Sequence, residues 1–453
     1  MFEQTILTPN PAVRARILAV LEAALAAVDP AAAVRNALTV SGHLLTIDGQ
    51  EYDLRAYRRC VVIGAGKAGA PMVQAIEMAL GDKIEGGLVV VKDEHSRPTQ
   101  RVTLVEASHP MPNQAGVDAG HQILALAHEA TADDLVIALL SGGGSALLVA
   151  PAPGITLADL QEMTGTLLAC GATINEINCL RKHCSAVKGG QLARAAAPAT
   201  LITLVLSDVV GTPLDVIASG PTVADSSTWA DAWDVVTRYG IEQALPPAIR
   251  TRLHDGMAGT IADTPKPADP LFANSRTVVI GDNRTAALAA QAKARDLGYN
   301  AMLLSTFVQG EAAQVAKMAV ALAQEVRASS HPVAAPACLI LGGETTVNLA
   351  LEGGQPGQGG RNQELALAAA LELDGQIEAT IVSLATDGTD GPTDSAGGVA
   401  DAGTVARGRD AGLSAADHLA RHDAYPFLRA TNDLLLSGPT HTNVNDLIFI
   451  FVE

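Results

Sequence analysis

The chain reads as an α/β protein whose pattern is that of doubly wound sheets, divided into two domains. Three observations predict this. Short apolar runs alternate with longer helical patterns from about residue 60 onward. The runs are continuously rather than alternately apolar, the habit of strands buried on both faces in parallel sheets. Between two such series lies GMAGTIADTPKPADP, Gly256 to Pro270, which concentrates Gly, Pro and Asp with little apolar periodicity.

The first element is helical: Pro11 suits the first helical position after an Asn10 cap, and ILAVLEAALAAV follows Arg14 and Arg16. Glu22 inside that stretch and Asp29 after it argue for an amphipathic helix rather than a signal peptide. The strands then expected are 60–64, 87–91, 102–106, 135–140, 201–207, 277–281, 338–343, 379–386 and 446–452. Helices are expected between many of them, at 67–80, 114–130, 284–297 and 311–327. A fresh series starting at Thr277 places the domains at 1–265 and 270–453.

Composition excludes several classes. Thirty Lys+Arg against 48 Asp+Glu leave a formal charge of −18, which repels nucleic acid and anionic membranes. With 48% hydrophobic and 17% charged residues the chain folds rather than staying disordered. Only 13 aromatic residues (Trp 2, Tyr 5, Phe 6) leave a core of Ala, Leu and Val and no platform for stacked bases. The cysteines Cys60, Cys170, Cys179, Cys184 and Cys338 have no metal spacing, so they read as reduced thiols of a cytoplasmic protein. No apolar run is long enough to span a membrane.

Seven stretches carry chemistry. VVIGAGKAG sets Gly64, Gly66 and Gly69 between a strand and a helix, a dinucleotide fingerprint with Asp93 or Glu94 as the ribose-binding acid. Lys67 inside it suits an anionic reactant or a transferring phosphoryl group, or is a solvated lysine on a tight turn. LLSGGGSALL, with Ser141, Gly142, Gly143, Gly144 and Ser145, is a second phosphate-type loop unless it is a plain flexible turn. INEINCLRKHCSAVKGG clusters Arg181, Lys182 and Lys188, either to attract a small anion or as an ordinary charged helix face. His183 and Cys184 there lack partners at ligand spacing.

Asp208 ends an apolar strand, where open α/β sheets place reactive groups, and is a general base, a metal ligand or a helix cap. Arg361 at a helix start opposes the macrodipole, which implies an anion beside it. Asp387 and Asp390, in the Gly-rich ATDGTDGPTD, suit Mg²⁺ or are solvated turn residues. In HTNVND, Asn443, Asn445 and Asp446 bind a polyhydroxy substrate or close a turn.

Together with SHPMPNQAG (108–116), VIASGPTV (216–223) and LGGETTV (341–347), and in this order, these motifs resemble class II glycerate 2-kinases. That group has a C-terminal module called MOFRL and members often named hydroxypyruvate reductases of tartrate utilisation. The resemblance covers about residue 10 to 453 and places the MOFRL module at about 337–447. It implies a Rossmann-like N-terminal domain and a C-terminal α/β domain with the active site in a cleft between them. It also implies ATP-dependent phosphorylation of D-glycerate at its 2-hydroxyl, with Mg²⁺. Lys67 and Arg361 carry over as active-site residues, then Asp208 and Asp387; the aspartate loop itself adds Asp390 beside Asp387 as a candidate Mg²⁺ ligand. Gly64, Gly66, Lys188 and the Ser141–Ser145 loop are assigned to nucleotide phosphates, Arg181 and Asn445 to substrate. Thr212 stands where relatives carry Asp, and His441 where they carry Gly.

The partners so implied are D-glycerate and ATP, with no nucleic acid or membrane, and a homo-oligomer is compatible. Two other functions compete. One is an NAD(P)H-dependent hydroxypyruvate reductase, drawn from the fingerprint. The other is a non-enzymatic sensor of a phosphorylated sugar acid.

Overall fold

The computed structural model describes residues 2, 11–349, 357–375 and 377–453. The chain forms two compact units, a central one of Pro30–Ile280 and a terminal one joining Met1–Asp29 to Gly281–Glu453. This differs from the expected division at 1–265 and 270–453 at both ends. The helix Pro11–Ala27 buries Ile17, Val20, Leu21 and Ala24 at helical spacing and packs on the helix Asn283–Asp296, which ties it to the C-terminal half. Asn10, its expected cap, lies outside the described residues.

After a short helix, Pro30–Ala37, the central unit has an antiparallel ribbon, β1 (Leu38–Ser41), β2 (Leu44–Ile47) and β3 (Gln50–Asp53). Its six-stranded sheet comprises β4 (Arg59–Ala65), β5 (Ile84–Lys92), β6 (Val102–Ala107), β7 (Asp134–Leu140), β8 (Thr200–Leu206) and β9 (Ser275–Gly281). The spatial order is β6-β5-β4-β7-β8-β9, and the printed pairs from β6 through β8 are parallel. Strand order therefore reverses at β4. In such sheets ligands bind outside the carboxyl ends of the strands flanking the reversal, here β4 and β7. Their register sets Ala65 opposite Leu140, so the two glycine loops leave the sheet side by side. β9, expected to begin a second domain, completes this sheet instead.

The terminal unit contains β10 (Asn300–Glu311), β11 (Ala337–Thr346), β12 (Thr380–Ala385), β13 (Gly397–Asp401), β14 (Leu434–Leu435) and β15 (Asp446–Val452), in the order β10-β11-β15-β12-β13-β14. Only β10 with β11 is parallel among these described pairs; the others are antiparallel. The expected doubly wound parallel pattern thus holds for the central unit and fails here. β15 is buried along its whole length between β11 and β12. Its unbroken apolar run, DLIFIFV, reports burial on both faces, which an interior antiparallel strand under helices experiences equally. Alanines 316, 319 and 323 of the helix Ala312–Ser329 and 366, 369 and 370 of the helix Arg361–Leu373 are buried where these helices pack, close contact that small side chains permit.

All five cysteines are free thiols, and burial pushes Cys60 and Cys184 up to about 12, so they are inert packing groups. No single helix among the described residues is long and apolar enough to cross a membrane.

Candidate active site

The two glycine loops of the central unit play different parts. After β4, Gly66 has φ +147, and a Cβ there would lie 2.1 Å from Ser141 Oγ and 2.7 Å from Ser141 O, so only glycine lets the loops meet. The backbone donors of this first loop are then consumed. Gly66 N–H donates to Val90 O, Lys67 N–H to Gly142 O (2.9 Å), Gly69 N–H to Gly66 O, and Ala68 N–H to Ser141 Oγ (3.1 Å). A dinucleotide pyrophosphate needs such groups free. The fingerprint is a buttress for its neighbour, and Gly64 and Gly66 act in that packing.

The second loop keeps its donors. Gly142, Gly143 and Ser145 N–H groups have no hydrogen-bond partner among the described residues. Gly143 is left-handed at φ +82 and directly precedes the helical Gly144, a change of hand that turns successive N–H groups toward one anion. Lys188 lies beneath this loop and is buried, donating to Ser145 O (2.8 Å) and Leu148 O (3.1 Å). Burial, then the Arg181 charge, pulls its ammonium down to about 7. The sequence assigned Lys188 to phosphate directly; here its donors hold the loop's own carbonyls.

Four side chains frame the loop. A Cβ on Gly143 would lie 3.2 Å from Lys67 Cγ, 3.1 Å from His109 Cδ2 and 3.3 Å from His109 Nε2. Lys67 and His109 therefore both lie against Gly143. One on Gly142 would lie 2.2 Å from Asp208 Oδ2, so Asp208 covers the adjacent peptide. Behind it, Ser219 Oγ contacts Ser145 Oγ (3.0 Å) and Asn178 Oδ1 (3.3 Å), and Arg181 projects from the same helix as Asn178.

Lys67 Nζ, Lys92 Nζ and the Arg181 guanidinium have no hydrogen-bond or ion-pair partner among the described residues. Desolvation lowers the Arg181 pKa, as expected of a sequestered cation without a counter-charge. Lys182, by contrast, is paired with Asp215 and Asp225 at 3.2 Å each. His183 is held by Cys179 O and Asp263, so it is structural.

In the terminal unit the charges are paired. Arg361 Nε donates to Asp446 Oδ2 (2.5 Å) and its NH2 to Asp446 Oδ1 (3.0 Å), while NH1 lies 3.0 Å from Glu344. Burial alone would lower this guanidinium's pKa, but the hydrogen-bonded Asp446 raises it, so Arg361 stays charged. The anion expected beside Arg361 is thus a protein carboxylate brought from β15.

Both carboxylates of the expected metal pair accept hydrogen bonds from the protein. Asp390 is buried and accepts from Asn362 N–H (3.1 Å), Asn362 Nδ2 (3.1 Å) and Gln363 N–H (2.9 Å), capping the helix Arg361–Leu373 from a distant loop. Asp387 Oδ1 accepts from Thr389 N–H and Oγ1, a local turn. No group of three His, Cys, Asp or Glu able to hold a metal occurs among the described residues. Asn445, at φ +66, uses its carbonyl to accept from Thr386 N–H and Oγ1 and so shapes the approach to β15.

Sequence reading missed His109 and Lys92 as site residues. His109 sat inside SHPMPNQAG with no spacing to flag it, and Lys92 merely ends a strand. Their importance follows from which strands become neighbours.

Comparison with known proteins fits this arrangement. A domain of unknown function, DUF4147, matches residues 16–254, and the MOFRL family matches 337–446. A glycerate 2-kinase of Pyrococcus horikoshii is 38% identical over 95% of each chain. A D-glycerate 2-kinase of Thermotoga maritima is 40% identical over 86% of this chain and 90% of its own. The chain belongs to the MOFRL glycerate kinase family. The crystal structure of a glycerate kinase from T. maritima superimposes with a TM-score of 0.86, at 36% identity, covering 98% of this chain and 100% of the other. A relative in Agrobacterium vitis, 41% identical over 96% of this chain, carries a provisional hydroxypyruvate reductase name.

Proposed function

We propose that the chain transfers the γ-phosphoryl group of MgATP to the 2-hydroxyl of D-glycerate, giving 2-phosphoglycerate and ADP, in the cytoplasm. The observation that carries this reading is the second glycine loop, whose Gly142, Gly143 and Ser145 N–H groups and neighbouring Lys67 and Arg181 are without partners among the described residues. Phosphoryl transfer needs alignment and charge neutralisation more than covalent chemistry, and these are its instruments. In this reading the Ser141–Ser145 loop receives nucleotide phosphates, and Lys188 keeps it in shape. Lys67 meets the transferring phosphoryl or the glycerate carboxylate, Arg181 adds attraction for the acid, and Asp208 orients the attacking hydroxyl. Arg361, pre-aligned by Asp446, is a further anion-binding group, and Asn445 shapes the loop before β15.

Magnesium enters with the nucleotide as part of the substrate. Mg²⁺ usually keeps several waters and takes only one or two carboxylates, so a resident cage is not required. Asp387 is the carboxylate assigned to that water shell; Asp390 is committed to its helix.

The competing reductase reading is disfavoured by one observation. The fingerprint N–H groups that would cradle a dinucleotide are already bonded. Purified protein incubated with D-glycerate and MgATP is expected to release ADP and yield 2-phosphoglycerate, identified by NMR of the product. NADH oxidation with hydroxypyruvate, without glycerate-dependent ADP release, would overturn the proposal. Tight binding of a phosphorylated acid with no turnover would favour a sensor.

A further inference from the structure

The kinase reading leaves open where the proton of the acceptor hydroxyl goes. We propose that the His109 imidazole, beside Lys67 over Gly143, accepts that proton; this rests on the kinase reading. The placement is the first support. His109 Nε2 and Lys67 Cγ lie within 3.3 Å of one point, the position of a Cβ on Gly143, at the loop whose N–H groups are without partners among the described residues. A group bound to that loop meets the ammonium and the ring together. The second support is availability. Neither ring nitrogen of His109 has a hydrogen-bond partner among the described residues, and the side chain is only half-buried. Two other histidines of the same unit are spent: His183 between Cys179 O and Asp263, and His95 on Lys67 O.

The electrostatics support an uncharged ring. Burial, then Lys67, Lys92 and His95, lowers its pKa to about 4, so at neutral pH it carries one donor and one free acceptor. Asp208, over neighbouring Gly142, is the carboxylate of the same loop. Binding of MgATP and glycerate brings negative charge against Lys67 and Lys92, which offsets two of the causes of that depression. The ring thus becomes a better base once both substrates are present. In the step itself the 2-hydroxyl O–H bond breaks and its proton passes to His109. The hydroxyl oxygen bonds to the γ-phosphorus, the bond from that phosphorus to the β,γ-bridging oxygen breaks, and its electron pair leaves on ADP. The imidazolium then returns its proton to water.

His109→Gln keeps a hydrogen-bonding side chain of similar reach but cannot take a proton at working pH. It is expected to lower kcat by about 10²–10⁴-fold, the range of general-base removal, with KM for MgATP changed by less than about threefold. The acidic limb of the wild-type kcat profile should vanish in the variant, and imidazole should restore part of the activity of His109→Ala. His109→Asn serves as the second substitution, with thermal melting of each variant checked against wild type. A wild type that phosphorylates glycerate while His109→Gln retains more than about a third of kcat and the same acidic limb overturns the base assignment and leaves the kinase reading standing. A fall confined to KM, with kcat unchanged, also overturns it. A wild type without glycerate-dependent ADP release removes both proposals.

Discussion

The cations of the central unit and the arginine of the terminal unit are handled in opposite ways. Lys67, against Gly143, and Arg181, close enough to Lys188 to depress its pKa, make no ion pair among the described residues, whereas Arg361 grips Asp446 through two hydrogen bonds and touches Glu344. An unpaired, partly buried cation is a standing electrostatic cost that a bound anion relieves, so its value appears only with substrate. A bidentate pair has already satisfied that need in the folded chain. Its return is a fixed orientation rather than an unspent charge. The cations of the central unit thus remain available to an anion, while the guanidinium of the terminal unit is fixed in direction.

Substitutions in the two regions should separate along the same line. Lys67→Ala should give the largest catalytic loss, about 10²–10³-fold in kcat/KM or ~3–4 kcal/mol of transition-state stabilisation, with an unfolding midpoint near wild type. A lowered midpoint with intact activity would reverse the comparison. Asp446→Ala should act on the fold as well as on turnover, because it strands Arg361. Breaking such a pair costs ~3–5 kcal/mol when both partners are buried, and less here since the Arg361 side chain is 33% exposed, so urea unfolding should report a loss of about 2 kcal/mol.

Lys188→Met sharpens the contrast through pH. Folding lowers the Lys188 pKa from 10.5 to about 7. Below 7 both states hold the proton and the burial penalty is complete; between 7 and 10.5 the unfolded state binds more protons, so stability rises with pH. Wild type should gain on Lys188→Met by at most ~1.4 kcal/mol per pH unit across that window, measured by paired denaturation curves at neutral and alkaline pH. No gain would mean that the ammonium is not desolvated beneath the loop. Smallest of all, Lys317→Ala removes an exposed lysine 3.9 Å from Glu372 and should change stability by less than ~0.5 kcal/mol and activity not at all.

Much of the central sheet could be read in advance, because each parallel strand carries its own apolar run and each loop its own glycines. The Ser141–Ser145 loop and Lys67 were legible for that reason. The GxGxxG stretch was legible as a tight turn but not as a buttress. Whether its N–H groups face a ligand or Ser141 depends on which strand lies alongside β4, 73 residues later in the case of Ala68 and Ser141. Lys188 and Asp390 were recognised as site-like because both are charged and lie among glycines, yet both are buried supports. Charge at a glycine loop does not distinguish a group that faces substrate from one that holds the loop from behind.

By itself the sequence determined the alternation of strands and helices, the small-residue core, the two glycine loops and the family to which the chain belongs. These are local properties, set by apolar period, turn chemistry and short motifs. Tertiary structure decided the antiparallel sheet around β15, the capture of residues 11–27 by the C-terminal half, the pairing of Arg361 with Asp446 and the meeting of His109 with Lys67. Each joins segments remote along the chain. Apolar burial and unpaired charge are satisfied by whatever neighbour the fold supplies, and no local pattern names that neighbour.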